Sequence, residues 1–486
     1  MIEALRGLGY STATALADIV DNCISANATE IAIHFYWDGS ESSISVIDNG
    51  KGMNEVELDS AMRLGNKSPT EARAAHDLGR FGMGLKTASF SQCRRLTVAS
   101  RKDGRTTCLR WDLDAIAMST DDGWHLLEGP SEGSERYLST LDTQSHGTVV
   151  LWEKIDRIVA SGFTEQDYLD LIDHVERHLS MVFHRFIEGE TPRLQLSING
   201  KRVWPIDPFL GKHPATWSSP VERISDAGSI VEVQCHVLPH KDKLDATALV
   251  AAAGPDGWTA QQGFYIYRNT RLLVAGSWLG LGRGRSWTKE EAHRLARIRV
   301  DINNNSDAAW KIDIRKSTAR PPASIRERLT RLAEDTRGRA RKVFAHRGQQ
   351  LRSPSGLSIA HAWRAEHYKG GVRYRINIDH PAVRAVIDEA GSREPQLRTM
   401  LRIIEETIPV QRIWLDTAET TETPRTGFSG APAAEVTVVL TALYRSMILR
   451  KGFSVEAAKQ QLLLTEPFNN YPELVAALPN ENPTME

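Results

Sequence analysis

Cysteine is scarce in this 486-residue chain: Cys23, Cys93, Cys108 and Cys235 lie far apart, with no Cys-x-x-Cys pair. That usage excludes a zinc finger legible in sequence and a disulfide framework, and fits a reducing cytosol. Neither sign of charge is in excess, with 60 Lys+Arg against 61 Asp+Glu. A surface coated in basic charge is thereby excluded, so any nucleic-acid binding has to come from a local patch. Long apolar runs are missing too. The longest, Val436 to Leu449, is interrupted by threonines and Arg445, and falls short of the ~20 residues that cross a bilayer. The opening residues MIEALRGLGYS have no basic flank followed by an apolar stretch and do not read as a signal peptide. A cytoplasmic protein without a membrane partner is expected. Internal repeats and long low-complexity tracts are not seen.

What is present is an ordinary folding composition, 41% hydrophobic and 25% charged. At roughly 100–200 residues per domain, the length suggests about three domains. Leu16, Ile19, Val20 and Cys23 recur at helical spacing after the candidate N-caps Ser11 and Thr12. Strands are predicted over Glu30–Trp37 and Ser43–Ile47, joined by a hairpin turn at Asp38-Gly39, then over Arg95–Ser100, Thr106–Asp112 and Thr148–Trp152. Helices with a mostly antiparallel sheet predict an α+β, two-layer sandwich for residues 1–155. A second α/β unit is expected over 156–322, with a helix near Glu165–Phe183 and strands at Leu194–Asn199, Ser229–Leu238, Gly263–Arg268 and Leu295–Ile302. Ser324 is read as the cap of a basic connecting helix, Ile325–Arg347, within residues 323–352. Residues 353–486 read as mainly helical, with a linker near 416–432 and a last amphipathic helix begun by Ser454.

Four blocks in the first 155 residues carry chemistry. Asp18 and Asn22 stand one turn apart on one helix face, where a carboxylate can orient water and a carboxamide oxygen can ligate Mg²⁺. The alternative is a solvent-facing polar pair. Asp48-Asn49-Gly50-Lys51-Gly52-Met53 ends a strand, so that Asp48 can accept from an adenine amino group; read plainly, it is a turn. Gly79-Arg80-Phe81-Gly82-Met83-Gly84-Leu85-Lys86 runs glycines into a helix, whose N-terminal amides suit phosphate. Gly147-Thr148 opens a strand, where the threonine hydroxyl can support a base through water.

Together, in this order, the blocks resemble the N box, G1 box, G2 box and final threonine motif of the GHKL (Bergerat) ATPases, the group of gyrase, heat-shock chaperones, histidine kinases and MutL. The wording ALADIVDN, GRFGMGLKTASFSQ and LTVASR resembles MORC proteins and their bacterial relatives. The resemblance implies ATP and Mg²⁺ as ligands. Asn22 would hold the metal, Asp48 would read adenine, and Gly50, Gly52 and Met53 would wall the base. Gly79, Gly82, Met83, Gly84, Leu85 and Lys86 would line the phosphates, with Thr148 behind the base and Asn66 and Lys67 in a lid over Glu55–Leu78. The general base, usually glutamate, would be Asp18, one methylene shorter. Near-attack geometry can be lost over about 1 Å, so turnover is expected to be slow. Asp21 is set aside as a substitute, because it lies about 100° around the helix from Asn22.

Residues 263–272, with the pattern Tyr267-Arg268-Asn269-Thr270-Arg271-Leu272, resemble the transducer domain of MutL, gyrase and MORC proteins. In those families a transducer lysine reaches the γ-phosphate, a role that falls here on Lys316, against the plain reading of an exposed strand-end lysine. The arginines of 325–347 read either as a DNA-contacting face or as a solvated helix paired with Glu327, Glu334 and Asp335. Trp363, His367, Tyr368, Arg373 and Tyr374 suit base stacking, or the edge of a core. The implied function is an ATP-dependent homodimerising clamp that engages DNA, in bacterial defence against foreign DNA, with further protein partners. The alternative is a chaperone-like or nucleotide-gated interaction module with little ATP turnover.

Overall fold

The computed structural model describes residues 6–7, 9–63, 84–118, 125–226, 229–303, 306, 309–312, 318–345, 359–368, 371–413 and 434–480. The chain divides into two compact units, residues 1–348 and 349–486.

The first unit begins with α1 (Thr12–Ser25), capped by the Ser11 side chain, which accepts from the Thr14 amide. Its buried residues Leu16, Ile19, Val20 and Cys23 join one core with Phe90, Val98 and Trp152. Short helices α2 (Glu55–Met62), α3 (Gly84–Phe90) and α4 (Leu113–Met118) follow. An eight-stranded sheet lies under them. It is built from β1 (Glu30–Tyr36), β2 (Ser43–Asp48), β3 (Arg95–Lys102), β4 (Arg105–Asp112), β5 (Leu127–Glu128), β6 (Gly147–Glu153), β7 (Gln195–Ile198) and β8 (Lys201–Arg202). The order is β5-β4-β3-β6-β2-β1-β7-β8, antiparallel except where β7 runs parallel to β1.

Two expectations change here. The sheet does not end near residue 155: β7 and β8 extend its edge, and α5 (Glu165–Val182) gives Tyr168, Val175 and Leu179 to the same core. The β1–β2 connection is not a two-residue turn. It holds a 3₁₀ turn at Gly39–Glu41, closed by the Ser42 hydroxyl, which accepts from the Asp38 amide and donates to Gly39 O.

The second sheet joins β9 (Trp217–Ser218), β10 (Glu222–Asp226), β11 (Ser229–Val237), β12 (Gly263–Arg268), β13 (Arg271–Ser277) and β14 (Ala296–Ile302). Its order is β10-β11-β14-β12-β13, with β9 paired to β11. The helix α6 (Ala246–Ala253) lies between β11 and β12 in the chain. The basic helix α7 (Ala323–Ala345) is no free connector, because Ile325, Leu329, Ala333 and Ala340 share a core with Val231, Ile266, Ile298 and Trp310. Ser324 sits inside it rather than capping it, and its hydroxyl donates to Asp226.

The second unit contains the hairpin β15 (Trp363–Tyr368) and β16 (Gly371–Ile376) with α8 (Pro381–Glu389), α9 (Glu394–Glu406), α10 (Ala434–Leu449), α11 (Val455–Leu463) and α12 (Pro472–Ala476). Ser454 caps α11, accepting from the Ala457 amide. Val436, Leu440, Tyr444, Leu462 and Phe468 form its core. Among the described residues no helix is long and apolar enough to cross a membrane.

Candidate functional site

The central strands bring three sequence segments to one end of the first sheet. Asp48, the last residue of β2, pairs directly with Thr148 of β6, and Thr148 pairs in turn with Ser100 of β3. The Asp48 carboxylate is buried and accepts from the Gly50 amide at 2.7 Å. Ser100 Oγ lies 2.9 Å from the Thr148 hydroxyl, accepts from the Met53 amide at 2.8 Å and donates to Gly147 O. With the Ser100 proton spent on that carbonyl, the Thr148 hydroxyl donates to Ser100. His146 Nδ1 stands 2.7 Å from Gly50 O. Gly52 has φ +65° and passes so close to β3 that a Cβ would lie 2.0 Å from Arg101 O. Only glycine fits there.

The helix α1 lays its polar face against this end. Burial pushes the Asp48 carboxyl upward, while the Gly50 amide and the Cys23 thiol, which bond the charged form, pull it back. Burial and the Asp48 charge push the Cys23 thiol well above its ordinary value. Five residues before Cys23, Asp18 is buried and Tyr10 Oη donates to its Oδ2 at 3.1 Å. Asn22 is exposed. Asp21, on the side of Asp18 rather than of Asn22, faces the second sheet. There Nε of the buried Arg271 donates to both its carboxylate oxygens at 3.1 Å, and Arg271 Nη2 stands 4.0 Å from Asp18 Oδ1.

Lys86, on α3, is buried and donates from Nζ to Ala61 O at 2.9 Å and Arg63 O at 2.5 Å. It therefore holds the carbonyls at the end of α2, as a cation does at a helix C-terminus. Gly84 opens α3, with nothing within 4 Å of where a Cβ would stand, and Leu85 packs half-buried on the core. Asn66, Lys67, Gly79, Gly82, Met83 and Lys316 lie outside the described residues.

On α7, Arg328 pairs with Glu222, Arg331 with Glu327, and Arg337 is buried against the rings of Trp278 and Trp287. Arg339 lies over Trp217, while Arg326, Arg341 and Lys342 are exposed. On the hairpin of the second unit Trp363, Arg373 and Tyr374 are exposed.

Sequence reasoning missed Tyr10, Cys23, Ser100 and His146, and gave no role to Asp21 or Arg271. A signal existed for Cys23, which follows Asn22 on the buried side of the helix, and for Arg271, which sits in the transducer-like hairpin.

The first sheet is a mixed sheet under a helical layer, with a buried strand-end carboxylate and closely approaching glycines at one end. Residues 10–148 match the family model described as "Histidine kinase-, DNA gyrase B-, and HSP90-like ATPase". This N-terminal part of the chain is a GHKL-type ATPase domain. The chain is 33% identical over 238 residues to the ATPase morc-1 of Caenorhabditis elegans, covering 40% of this chain and 27% of that protein. It is 24% identical over 223 residues to the chaperone protein HtpG of Hydrogenovibrio crunogenus, covering 43% of this chain and 31% of the chaperone. The chain thus spans about a third or less of the length of these distant relatives.

Proposed function

We propose that this chain is an ATP-operated clamp that binds and slowly hydrolyses ATP with Mg²⁺, closes as a homodimer and thereby controls engagement of DNA. The observation that carries this reading is the meeting of Asp48, Gly50, Gly52 and Thr148 at one sheet end beside the Asp18–Asn22 face of α1. The donor set suits an adenine nucleotide. A buried carboxylate accepts the 6-amino group, with Thr148 behind it and Gly50, Gly52 and Met53 bounding the base. The exposed Asn22 carboxamide, whose side chain has no hydrogen-bond partner among the described residues, is the metal ligand. When bound, Mg²⁺ would be held by Asn22 and would offset the charge of the phosphates.

Asp18 accepts the proton of the attacking water, with Tyr10 fixing one of its oxygens. Phosphates fall to Gly79, Gly82, Met83, Gly84, Leu85 and Lys86, with Asn66 and Lys67 in the lid and Lys316 reaching in from the second sheet's domain. For Lys86 this means exchanging the carbonyls of Ala61 and Arg63 for phosphate oxygens. DNA falls to the exposed cations of α7, among them Arg326, Arg341 and Lys342. Defence against foreign DNA, with additional protein partners, is the setting in which such a clamp acts. The similarity to HtpG favours a second reading, a nucleotide-gated machine working on polypeptide.

Solution mass tests the clamp. With Mg²⁺ and a non-hydrolysable ATP analogue the wild-type protein shifts from monomer to dimer, and Asp48→Ala does not. An unchanged mass despite bound nucleotide contradicts closure. DNA retention by the closed form, against suppression of client aggregation, then separates the two readings.

A further inference from the structure

Asp18 and Asp21 are two buried carboxylates less than one turn apart on α1, 6% and 1% exposed. Like charges so placed need a cation, since a buried uncompensated charge is strongly unfavourable. The cation that faces both comes from 250 residues further along the chain. Arg271 is the first residue of β13 and leaves a tight turn in which Asn269 and Thr270 both take positive φ, +48° and +69°. The turn aims the side chain out of the second sheet and into the first domain. There the guanidinium is 4% exposed, bonded through Nε to Asp21, anchored through Nη1 to Leu272 O at 2.7 Å, and set 5.7 Å from the centre of the Phe183 ring. Burial, reinforced by the Arg271 charge, lowers the nearby His178 imidazole, so that neighbour brings no competing cation at neutral pH.

Asp18 is addressed from both sides: Tyr10 of the first domain holds Oδ2, and Arg271 of the second sheet faces Oδ1 from 4.0 Å. We infer that Arg271 is a positioning residue through which the second sheet sets the orientation of Asp18, and so the hydrolysis rate, without touching nucleotide. Asp21 is its anchor. The inference rests on Asp18 being the general base. A displacement of the β12–β13 hairpin moves the guanidinium relative to a fixed Tyr10 contact, and the carboxylate turns with it. This places a control on turnover inside the chain, separate from nucleotide affinity.

The test measures phosphate release and binding of a fluorescent ATP analogue by the full chain, with melting temperature recorded for every variant. Arg271→Met is expected to lower kcat by about 10–100-fold, the scale of a misplaced catalytic group, with the analogue's Kd changed less than about 3-fold. Arg271→Lys recovers part of the rate, because charge returns without the planar fork. The double variant Arg271→Met, Asp21→Asn removes the charge pair together, and is expected to regain thermal stability while kcat stays low. It decides the matter if the single variant does not fold. Recovery of kcat along with stability in the double variant overturns the inference, as does a loss of affinity that tracks the loss of rate. Asp18→Asn with wild-type kcat overturns the general-base reading and this inference with it. Analogue binding that survives Asp48→Ala overturns the nucleotide-site reading instead.

Discussion

Where the first sheet meets its site, the side chains are small: Gly50, Gly52, Ser100, Gly147 and Thr148 let the backbones of β2, β3 and β6 interlock around one buried carboxylate. The second sheet is filled by large ones. Tyr265, Tyr267 and Arg297 are wholly buried, Trp278 stands edge-on to Phe264 and Trp287, and Arg337 lies against both tryptophans. Close backbone approach leaves room for a ligand beside the strand end and tolerates almost no added atom. Aromatic and guanidinium packing fills its own space and gives rigidity, which suits a body that transmits a position rather than one that holds a molecule.

Substitutions at matched places sharpen the contrast. Gly52→Ala has the largest expected effect, because a methyl group 2.0 Å from Arg101 O cannot be housed at φ +65°. It should cost at least about 4 kcal/mol in urea unfolding, or prevent folding, the scale of the few single changes that break a special backbone site. A Gly52→Ala protein of normal stability would mean that the close approach of the loop after β2 to β3 is not what shapes the site.

Trp278→Ala in the second sheet should cost about 3–5 kcal/mol, through a cavity and lost ring contacts. The protein that remains folded should nevertheless bind ATP within about 3-fold of wild type, a gap below ~1 kcal/mol. A collapse of affinity in folded Trp278→Ala would erase the division of labour between the sheets.

Asp48→Asn separates function from stability inside the first sheet. Burial raises the Asp48 carboxyl above its unfolded value, so its charged form costs stability; that cost is fully present above the folded value and is relieved as pH falls through it. The variant should therefore melt at or above the wild-type temperature at pH 7, with the gap closing toward roughly pH 4. A lower melting temperature at pH 7 would show that the charged carboxylate stabilises the fold. The smallest effect is expected on α7, where a Cβ on Gly338 meets nothing within 4 Å. Gly338→Ala should stabilise by about 0.5–1 kcal/mol in the same unfolding experiment, with unchanged nucleotide binding.

The same contrast governs what sequence reveals. Asp48, Gly50 and Gly52 are legible because their requirements act over a few adjacent residues: a carboxylate at a strand end, and glycines where backbone passes backbone. Thr148 was legible as the opening of a strand, while its two strand neighbours, Asp48 and Ser100, were not. Arg271 was not legible as a partner of α1, since nothing local encodes a contact across 250 residues, and Asp21 was set aside for the very rotation that turns it toward Arg271. The strand that extends the first sheet beyond residue 155 was hidden for a related reason. Strand β7 closes the sheet by pairing in parallel with β1, far earlier in the chain, which no local period announces. Ser324 looked like a cap from its neighbours alone, and its real partner, Asp226, is distant in sequence. The hairpin β15–β16 escaped notice because charged residues crowd its strands (WRAEHY, GVRYRI).

Discrimination between ATP and GTP at equilibrium tests the nucleotide site most directly. Adenine offers Asp48 a 6-amino donor, whereas guanine presents a carbonyl oxygen to the same carboxylate. Wild-type protein should prefer ATP by at least about 100-fold, as expected where a site built on one hydrogen bond meets a ligand lacking it, and Asp48→Asn should lose most of that preference. Equal binding of ATP and GTP by wild-type protein would contradict the assignment of Asp48 and, with it, the account of the site.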